Sequence, residues 1–405
     1  MAMGKTVSEH VTWVGKTDWE LKSFHGKELS TYKGSSYNSY LIRGSRKTVL
    51  MDTVWQPYDK EYVARLKQEI DLGAIDCIVM NHNENDHSGS LPELLREIPS
   101  VPVYCTAKGA EILRGLYHED WNFVCVKTGD SLDLGGVTLK FIEAPMLHWP
   151  DTMFTYMDGG EGERILFSND GFGQHYASEL LFDDEAEQDE VYAEAMKYYA
   201  NILNLYSMQV TKKINEILAL HLPLDMIAPS HGVIWRSDPS KIIGKYLAWA
   251  DAYKEQQVTL VYDTMWNSTR KLGEAIAAGV REAKPGITVK LMNASRDDKN
   301  DIVTEVFRSE AVLVGSPTIN YGCMYSIAGM LEMLKGLRFK GKKAAAFGSF
   351  GWSGGTVRQI TDSLKGCGFE IVSEGFERKW APDESVLKEA NAFGREFAAT
   401  LPLWQ

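Results

Sequence analysis

Apolar and polar positions along the chain change rhythm once, near Gln256. Before that point the pattern is one of short strands with a few helices. Residues 35–42, SSYNSYLI, alternate with the two-residue period of a half-buried strand. Residues 47–51 continue as KTVLM, and Asp52 and Thr53 start a turn. Tyr62, Val63, Leu66, Ile70 and Leu72 form the stripe of an amphipathic helix. The run 75–80, IDCIVM, predicts a buried strand that ends in the polar stretch 81–90. Further strands are expected at 101–105, 137–142 and 164–168, and continuous helix at 185–220.

From Val258 strands and helices alternate regularly. Strand VTLVYD leads to a helix at 269–283, where Leu272, Ile276 and Val280 recur every four residues. After the Pro285–Gly286 break come strand ITVKLM, a helix at 299–307, strand AVLVGS and a helix at 327–337. Strand KAAAFGS, a helix at 356–365, strand FEIVS and a terminal helix from Glu384 complete the series. Repeated βα units in about 150 residues call for a doubly wound parallel sheet. The expected division is 1–254 and 255–405.

Composition narrows the class without choosing a function. Apolar residues at 44% and charged residues at 24% exclude wholesale disorder. No apolar run reaches the roughly 18 residues of a membrane span, and the N-terminus lacks a hydrophobic signal core, so a soluble cytoplasmic chain is expected. The net charge of −12 argues against nucleic acid or an anionic membrane as main partner. Cys77, Cys105, Cys125, Cys323 and Cys367 form no CxxC pair, which leaves no zinc ribbon or rubredoxin-type site in these residues. All nine histidines lie between His10 and His231.

Chemistry concentrates where the first strands end. The polar stretch contains His82, Glu84, Asp86 and His87 as H-x-E-x-D-H, and extended geometry would point His82, Glu84 and Asp86 the same way. A solvated loop is the ordinary explanation of such a run, but the density of ligand types after an apolar strand outweighs it. His148 in PMLHWPD, Asp170 in NDGFG and His231 in SHGVIW follow at further strand ends. His175 is a candidate for a place beside the site, as are the hydroxyls of Tyr198 and Tyr199, and His25 is a weaker candidate for the pocket wall.

The second half offers three strand-end loops. Thr264, Met265, Trp266, Asn267, Ser268 and Thr269 lead into a helix N-terminus, where backbone N–H groups and hydroxyls suit a phosphate. Ser316, Pro317, Thr318, Asn320, Tyr321 and Gly322 follow one strand, and Ser349, Phe350, Gly351, Trp352, Ser353 and Gly354 another. Ligands of open parallel sheets bind beyond the carboxyl ends of the strands. Glycines there admit a flavin ring, and nothing suggests the adenosine half of FAD, so FMN is expected.

The histidine and carboxylate set resembles the metallo-β-lactamase superfamily, whose hydrolases carry H-x-H-x-D-H. Here Glu84 replaces a histidine, adding charge and oxygen donation that favour iron or manganese over zinc. With a flavodoxin-like half following, and with the segments GSSYNSYL, MLHWPD, NDGFGQH, SHGVIWR and GSFGWSGG, the chain resembles the flavodiiron proteins, closest to the flavorubredoxin group. That resemblance implies a metallo-β-lactamase-like αββα sandwich followed by a flavodoxin-like α/β domain. It also implies two non-haem irons bridged by Asp170, with His82, Glu84 and His148 on one and Asp86, His87 and His231 on the other. In the family the residue at His87's position binds in some members and is displaced by solvent in others.

The implied activity is reduction of NO to N2O, or of O2 to water, with electrons passed through FMN. The expected partners are a separate rubredoxin-type donor and a second copy, as a head-to-tail homodimer or a dimer of dimers. The alternatives are a zinc-dependent hydrolase with an accessory flavodoxin module and a plain electron carrier.

Overall fold

A computed structural model describes residues 4–402. The chain forms two compact units, Met1–Tyr199 with Tyr206–Leu247, and Ala200–Leu205 with Ala248–Gln405.

The first unit is a two-sheet sandwich. One sheet runs in chain order: β1 (Lys5–Thr6), β2 (Val11–Trp13), β3 (Tyr40–Arg43), β4 (Thr48–Met51), β5 (Cys77–Val79), β6 (Val103–Cys105) and β7 (Phe123–Cys125). Its first four strands pair antiparallel and the rest parallel. The other sheet is β8 (Ser131–Asp133), β9 (Thr138–Glu143), β10 (Met153–Asp158), β11 (Arg164–Asn169) and β12 (Met226–Pro229), antiparallel except for β11 with β12.

The two-residue period sorts the core. Ile42, Val49, Met51 and Val79 face Phe141, Met157 and Phe167 of the opposite sheet. Their chain neighbours Leu41, Leu50 and Ile78 face away, onto Tyr62, Leu66, Leu94 and Leu113 of the covering helices. Both faces of the first sheet are therefore covered, which is why its strands read as continuous apolar runs.

Two sequence expectations change in detail. The strand expected at 35–42 is two pieces, Ser35–Tyr37 and Tyr40–Arg43. Asn38 sits at the break, where its Nδ2 donates to Pro229 O and Gly232 O at 2.8 and 2.9 Å. The helix expected at 185–220 is interrupted: Gln188–Tyr198 gives way to a π turn at Tyr199–Leu203 and a 3-10 turn at Asn204–Tyr206 before helix resumes at Ser207–Ala219. Residues 200–205 of this interruption cluster with the second unit. There Asn201 Nδ2 donates to Asn300 O and Thr304 Oγ1, both at 3.2 Å, and Asn204 Nδ2 donates to Leu337 O at 2.7 Å.

The second unit is a parallel sheet in the order β14 (Thr288–Asn293), β13 (Glu255–Tyr262), β15 (Ser309–Pro317), β16 (Lys343–Phe350) and β17 (Glu370–Ile371), with β18 (Phe376–Lys379) also paired to β16. This is the flavodoxin-type order, whose direction of progression reverses beside β13. Helices α1 (Ser268–Ala283), α2 (Lys299–Arg308), α3 (Tyr325–Leu337), α4 (Thr356–Gly366) and α5 (Glu384–Ala399) accompany it. Helices α1 and α5 cross at two glycines: a Cβ on Gly279 would overlap the carbonyl of Asn391, and one on Gly394 that of Ile276. The last sequence-predicted strand, 369–373, is reduced to two residues, and β18 supplies the edge beyond it.

Candidate metal centre and cofactor cavity

Strand β5 delivers its polar loop to one rim of the sandwich. The loop is extended only as far as Glu84; Asn85–Ser88 forms a helical turn. Asp86 and His87 therefore leave the alternation expected from sequence and face a different group of side chains. His148 arrives on the loop between β9 and β10, Asp170 directly after β11 and His231 just after β12. Asp52 just after β4, Met146 between β9 and β10, Asn169 at the end of β11 and Phe172 just beyond it have positive φ between 50 and 66°. Such backbone strain in non-glycine residues collects at functional sites.

The side chains gather in two groups, each with ligand-capable atoms within 4.8 Å of one another: His82, Glu84, His148 and Asp170, and Asp86, His87 and His231. Asp170 joins them. Its Oδ2 lies 3.3 Å from His82 Nε2 and 3.3 Å from His148 Nε2. Its Oδ1 lies 3.1 Å from His87 Nε2 and 3.5 Å from His231 Nε2. His231 Nε2 is 3.0 Å from Asp86 Oδ2, and Glu84 Oε2 is 3.4 and 3.3 Å from His82 and His148. The seven residues flagged in the sequence thus share one pocket.

Electrostatics inside it are strong because water is nearly excluded. Burial works against ionised Glu84, but His148, His25 and His82 outweigh it and hold the carboxyl well below the usual carboxylate range. Burial likewise opposes ionised Asp170, and His87, His148 and His82 overcome it. Burial would lower His87 and His148, yet Asp86 and Asp170 raise His87 to about 9, and Asp170 and Glu84 raise His148 to about 9. Even so, both ring nitrogens of His82 and of His87, with Asp86 Oδ1 and Asp170 Oδ1, are buried without a hydrogen-bond partner. Each such atom costs about 1–3 kcal/mol unless something satisfies it. Bound cations would satisfy all of them together, and the mixture of imidazole and carboxylate suits iron or manganese. The donor set therefore fits a pair of metal ions.

Neighbours fix several of these rings. His231 Nδ1 lies 2.7 Å from Ser36 O, which turns Nε2 to the pocket. His25, on a hairpin from the ribbon Ser23–Phe24 and Leu29–Ser30, places Nε2 2.8 Å from Glu84 Oε1. His175 pairs Nδ1 with Ser35 Oγ at 2.9 Å and packs, tilted, with its ring centre 4.9 Å from that of His231, and burial pushes its pKa well down. Tyr198 lies 5.1 Å from His175, whereas Tyr199 packs on Tyr246 and bonds Ser207. Asp151 beside His82 and Asp52 beneath Asn81 were not foreseen. Asp52 accepts from Asn81 N and Nδ2 at 2.7 and 2.9 Å, and burial pushes its carboxyl up to about 6. A lone Asp after a proline or at a turn gives no signal of its own in a sequence.

In the second unit the three strand-end loops surround a cavity of about 660 Å³. Thr264, Met265, Trp266 and Ser268 line it from the first loop; Pro317, Thr318, Asn320 and Tyr321 from the second; and Ser349, Phe350, Gly351, Trp352 and Ser353 from the third. Asn267, Thr269, Ser316, Gly322 and Gly354 do not line it. Thr269 Oγ1 instead bonds Ser349 Oγ at 3.1 Å, and Ser316 Oγ accepts from Met324 N at 2.9 Å, so these two tie the loops together. Asn267, with φ 65°, forms the left-handed turn before α1. Ile319, Trp380 and Ala381 line the cavity without having been anticipated.

The hydroxyls of Thr264 and Thr318 are buried there with no partner. Beside them the N-terminus of α1 presents free N–H groups to an anion. The N-terminus of α4 is already taken, since Gly355 N donates to Glu377 Oε1 at 3.1 Å. Unpaired hydroxyls, a helix N-terminus and an aromatic mouth fit a phosphorylated flavin.

Fold and site together define a class: a β-lactamase-type sandwich with a two-position acid–imidazole pocket, followed by a flavodoxin-type domain. Family comparisons agree, matching residues 36–232 to a family described as ODP family beta lactamase and residues 260–394 to Flavodoxin. The anaerobic nitric oxide reductase flavorubredoxin of Escherichia coli K12 is 51% identical over 98% of this chain and 82% of its own length. That of Aeromonas hydrophila is 52% identical over 97% and 79%. Among solved structures, the rubredoxin oxygen:oxidoreductase of Desulfovibrio gigas superposes with TM-score 0.93 at 34% identity, covering 98% of both chains. The flavodiiron protein of Giardia intestinalis gives 0.92 at 35%, covering 98% of this chain and 97% of its own. The chain belongs to the flavodiiron protein family, among the relatives of the flavorubredoxin nitric oxide reductases.

Proposed function

We propose that the protein is an oxidoreductase that reduces NO to N2O, or O2 to water, at a non-haem diiron site fed by FMN. The observation that carries this reading is the double reach of Asp170, whose two oxygens face two separate groups of ligand-type side chains. His82, Glu84 and His148 would hold one metal ion, Asp86, His87 and His231 the other, and Asp170 both. Bound iron would supply the electrons and the open coordination at which a diatomic gas reacts, and bound FMN would relay electrons to it singly or in pairs. The protein's own task is placement. His25 and Ser36 hold Glu84 and His231 in register, and the near-complete burial of the pocket keeps bulk water from competing for the ligands. In the second unit, Thr264, Thr318 and the N-terminus of α1 would take the anionic end of the flavin, and Tyr321 and Trp352 would flank its ring.

The electron donor is a rubredoxin-type protein, and the working assembly is a head-to-tail pair of chains. Support comes from the cavity mouth: Trp266 is 88% exposed, Trp352 86% and Trp380 61%, an aromatic rim suited to a docking partner. Among the described residues no helix is long and apolar enough to cross a membrane.

The test is metal and flavin content followed by anaerobic turnover with each gas and chemically reduced rubredoxin. Two irons and one FMN per chain, with gas consumption lost in His82→Ala and Asp170→Ala while the flavin spectrum persists, would support the proposal. Zinc with ester or lactam cleavage, or turnover retained in both variants, would overturn it.

A further inference from the structure

The two groups of ligand-type residues are not backed alike. His231 Nδ1 faces a neutral carbonyl, Ser36 O, at 2.7 Å. His82 Nδ1 faces a carboxylate, Asp151 Oδ1, at 3.4 Å. Both His82 and Asp151 are at most 1% exposed, so no bulk solvent reaches between them.

Asp151 is held from behind. Its Oδ2 accepts from Asn83 N at 2.9 Å and from Asn83 Nδ2 at 2.7 Å, while Thr106 Oγ1 donates to its main-chain carbonyl at 3.0 Å. Its Oδ1 has no hydrogen-bond partner, and neither has His82 Nδ1. Asn83 directly follows His82, and Asp151 lies three residues beyond His148 on the same loop. One carboxylate thus ties together the loops that carry two residues of the same group.

We propose that Asp151 is a positioning residue for His82. It selects the tautomer with the proton on Nδ1 and so presents the Nε2 lone pair to the first metal position, alongside Glu84 and Asp170. The inference rests on the diiron reading of the pocket. It sets His82 apart from His231, because a buried carboxylate lies behind the one ring and a neutral carbonyl behind the other. A carboxylate behind a ligating imidazole fixes the ring and raises its basicity, and its loss typically costs 10–100-fold in metal affinity.

Asp151→Asn separates this role from simple packing. The carboxamide oxygen can still accept both Asn83 N–H groups, but the NH2 then faces His82 Nδ1. That nitrogen must become an acceptor, and its proton moves to Nε2, where it blocks the lone pair.

The experiment is titration of the metal-free, FMN-containing protein with Co(II) against a competing chelator, followed by the visible d–d bands. The wild type should bind two Co(II) per chain. D151N should weaken one of the two by about 10–100-fold, with FMN content and the flavin spectrum unchanged. If D151N yields no folded protein, D151E and D151Q are compared, and the charged member should bind at least about tenfold more tightly. Equal Co(II) affinities for wild type and D151N, or for D151E and D151Q, would overturn the role of Asp151 and leave the diiron reading standing. Failure of the wild type to bind two ions would instead remove the reading on which the role depends.

Discussion

Replacing Thr264 by Val should have opposite effects on the empty and the flavin-loaded protein. The swap keeps the side-chain shape and leaves intact the bond from Thr264 N to Asp263 Oδ1 at 2.7 Å, so the loop keeps its anchor. Only the hydroxyl is lost. In the flavin-free chain that hydroxyl is buried without a partner, a state that costs about 1–3 kcal/mol, so its removal is neutral or stabilising. In the loaded chain the proposed role of the same hydroxyl is to donate to the charged phosphate, a bond that would contribute about 1.5–3 kcal/mol net. At 1.4 kcal/mol per decade, T264V should weaken FMN binding by about 10–150-fold. Quenching of flavin fluorescence on titration into the apoprotein measures the loss, and melting with and without FMN measures the reversal of sign. Riboflavin, which lacks the phosphate, should lose far less affinity. An FMN affinity within about twofold of wild type, or a lower melting temperature for the flavin-free variant, would refute the reasoning.

Three further outcomes follow. Gly279→Ala should gain about 1 kcal/mol of helix propensity but lose more by overlap with the carbonyl of Asn391, which cannot swing aside as a side chain could. The flavodoxin-like unit should melt earlier, and calorimetry would show it. The metal-free protein should lose stability as pH rises from about 6.5 through about 9, because His87 and His148 are raised to about 9 by Asp86, Asp170 and Glu84, and their charged pairs disappear on deprotonation. Metal-loaded protein, whose imidazoles are already deprotonated, should show no such fall between those values in a pH series of melting curves. His25→Ala should leave Glu84 without its 2.8 Å partner and weaken metal retention against a chelator, while the FMN spectrum stays unchanged.

The parts of the structure that were legible in the sequence are those with a period or a dense motif. The apolar run before His82 announced a buried strand, and ligand types crowded after it announced a site. The four-residue stripe of Leu272, Ile276 and Val280 announced a crossover helix, and these three are fully buried in the second core. Features that arise only when distant segments meet were not legible. Nothing local marks Asn38 as the break in SSYNSYLI, because its partners at Pro229 and Gly232 lie far along the chain. The interruption at Tyr199–Leu203 hides in an unbroken helical composition. Trp380 carries no local signal: the strand before it, FERK, is short and mostly charged, so no alternation points to the cavity it helps to line.

The six-residue excursion at 200–205 bears on how such proteins can be cut and recombined. A gene fragment starting at 248 would encode every strand of the flavodoxin-like sheet yet leave behind Asn201 and Asn204, the clips onto Asn300, Thr304 and Leu337. A single crossover between homologous genes near that point would likewise unite a clip from one parent with a receptor from the other. Modular as the two halves look on paper, a chimera that takes both stretches from one parent keeps these clips with their receptors.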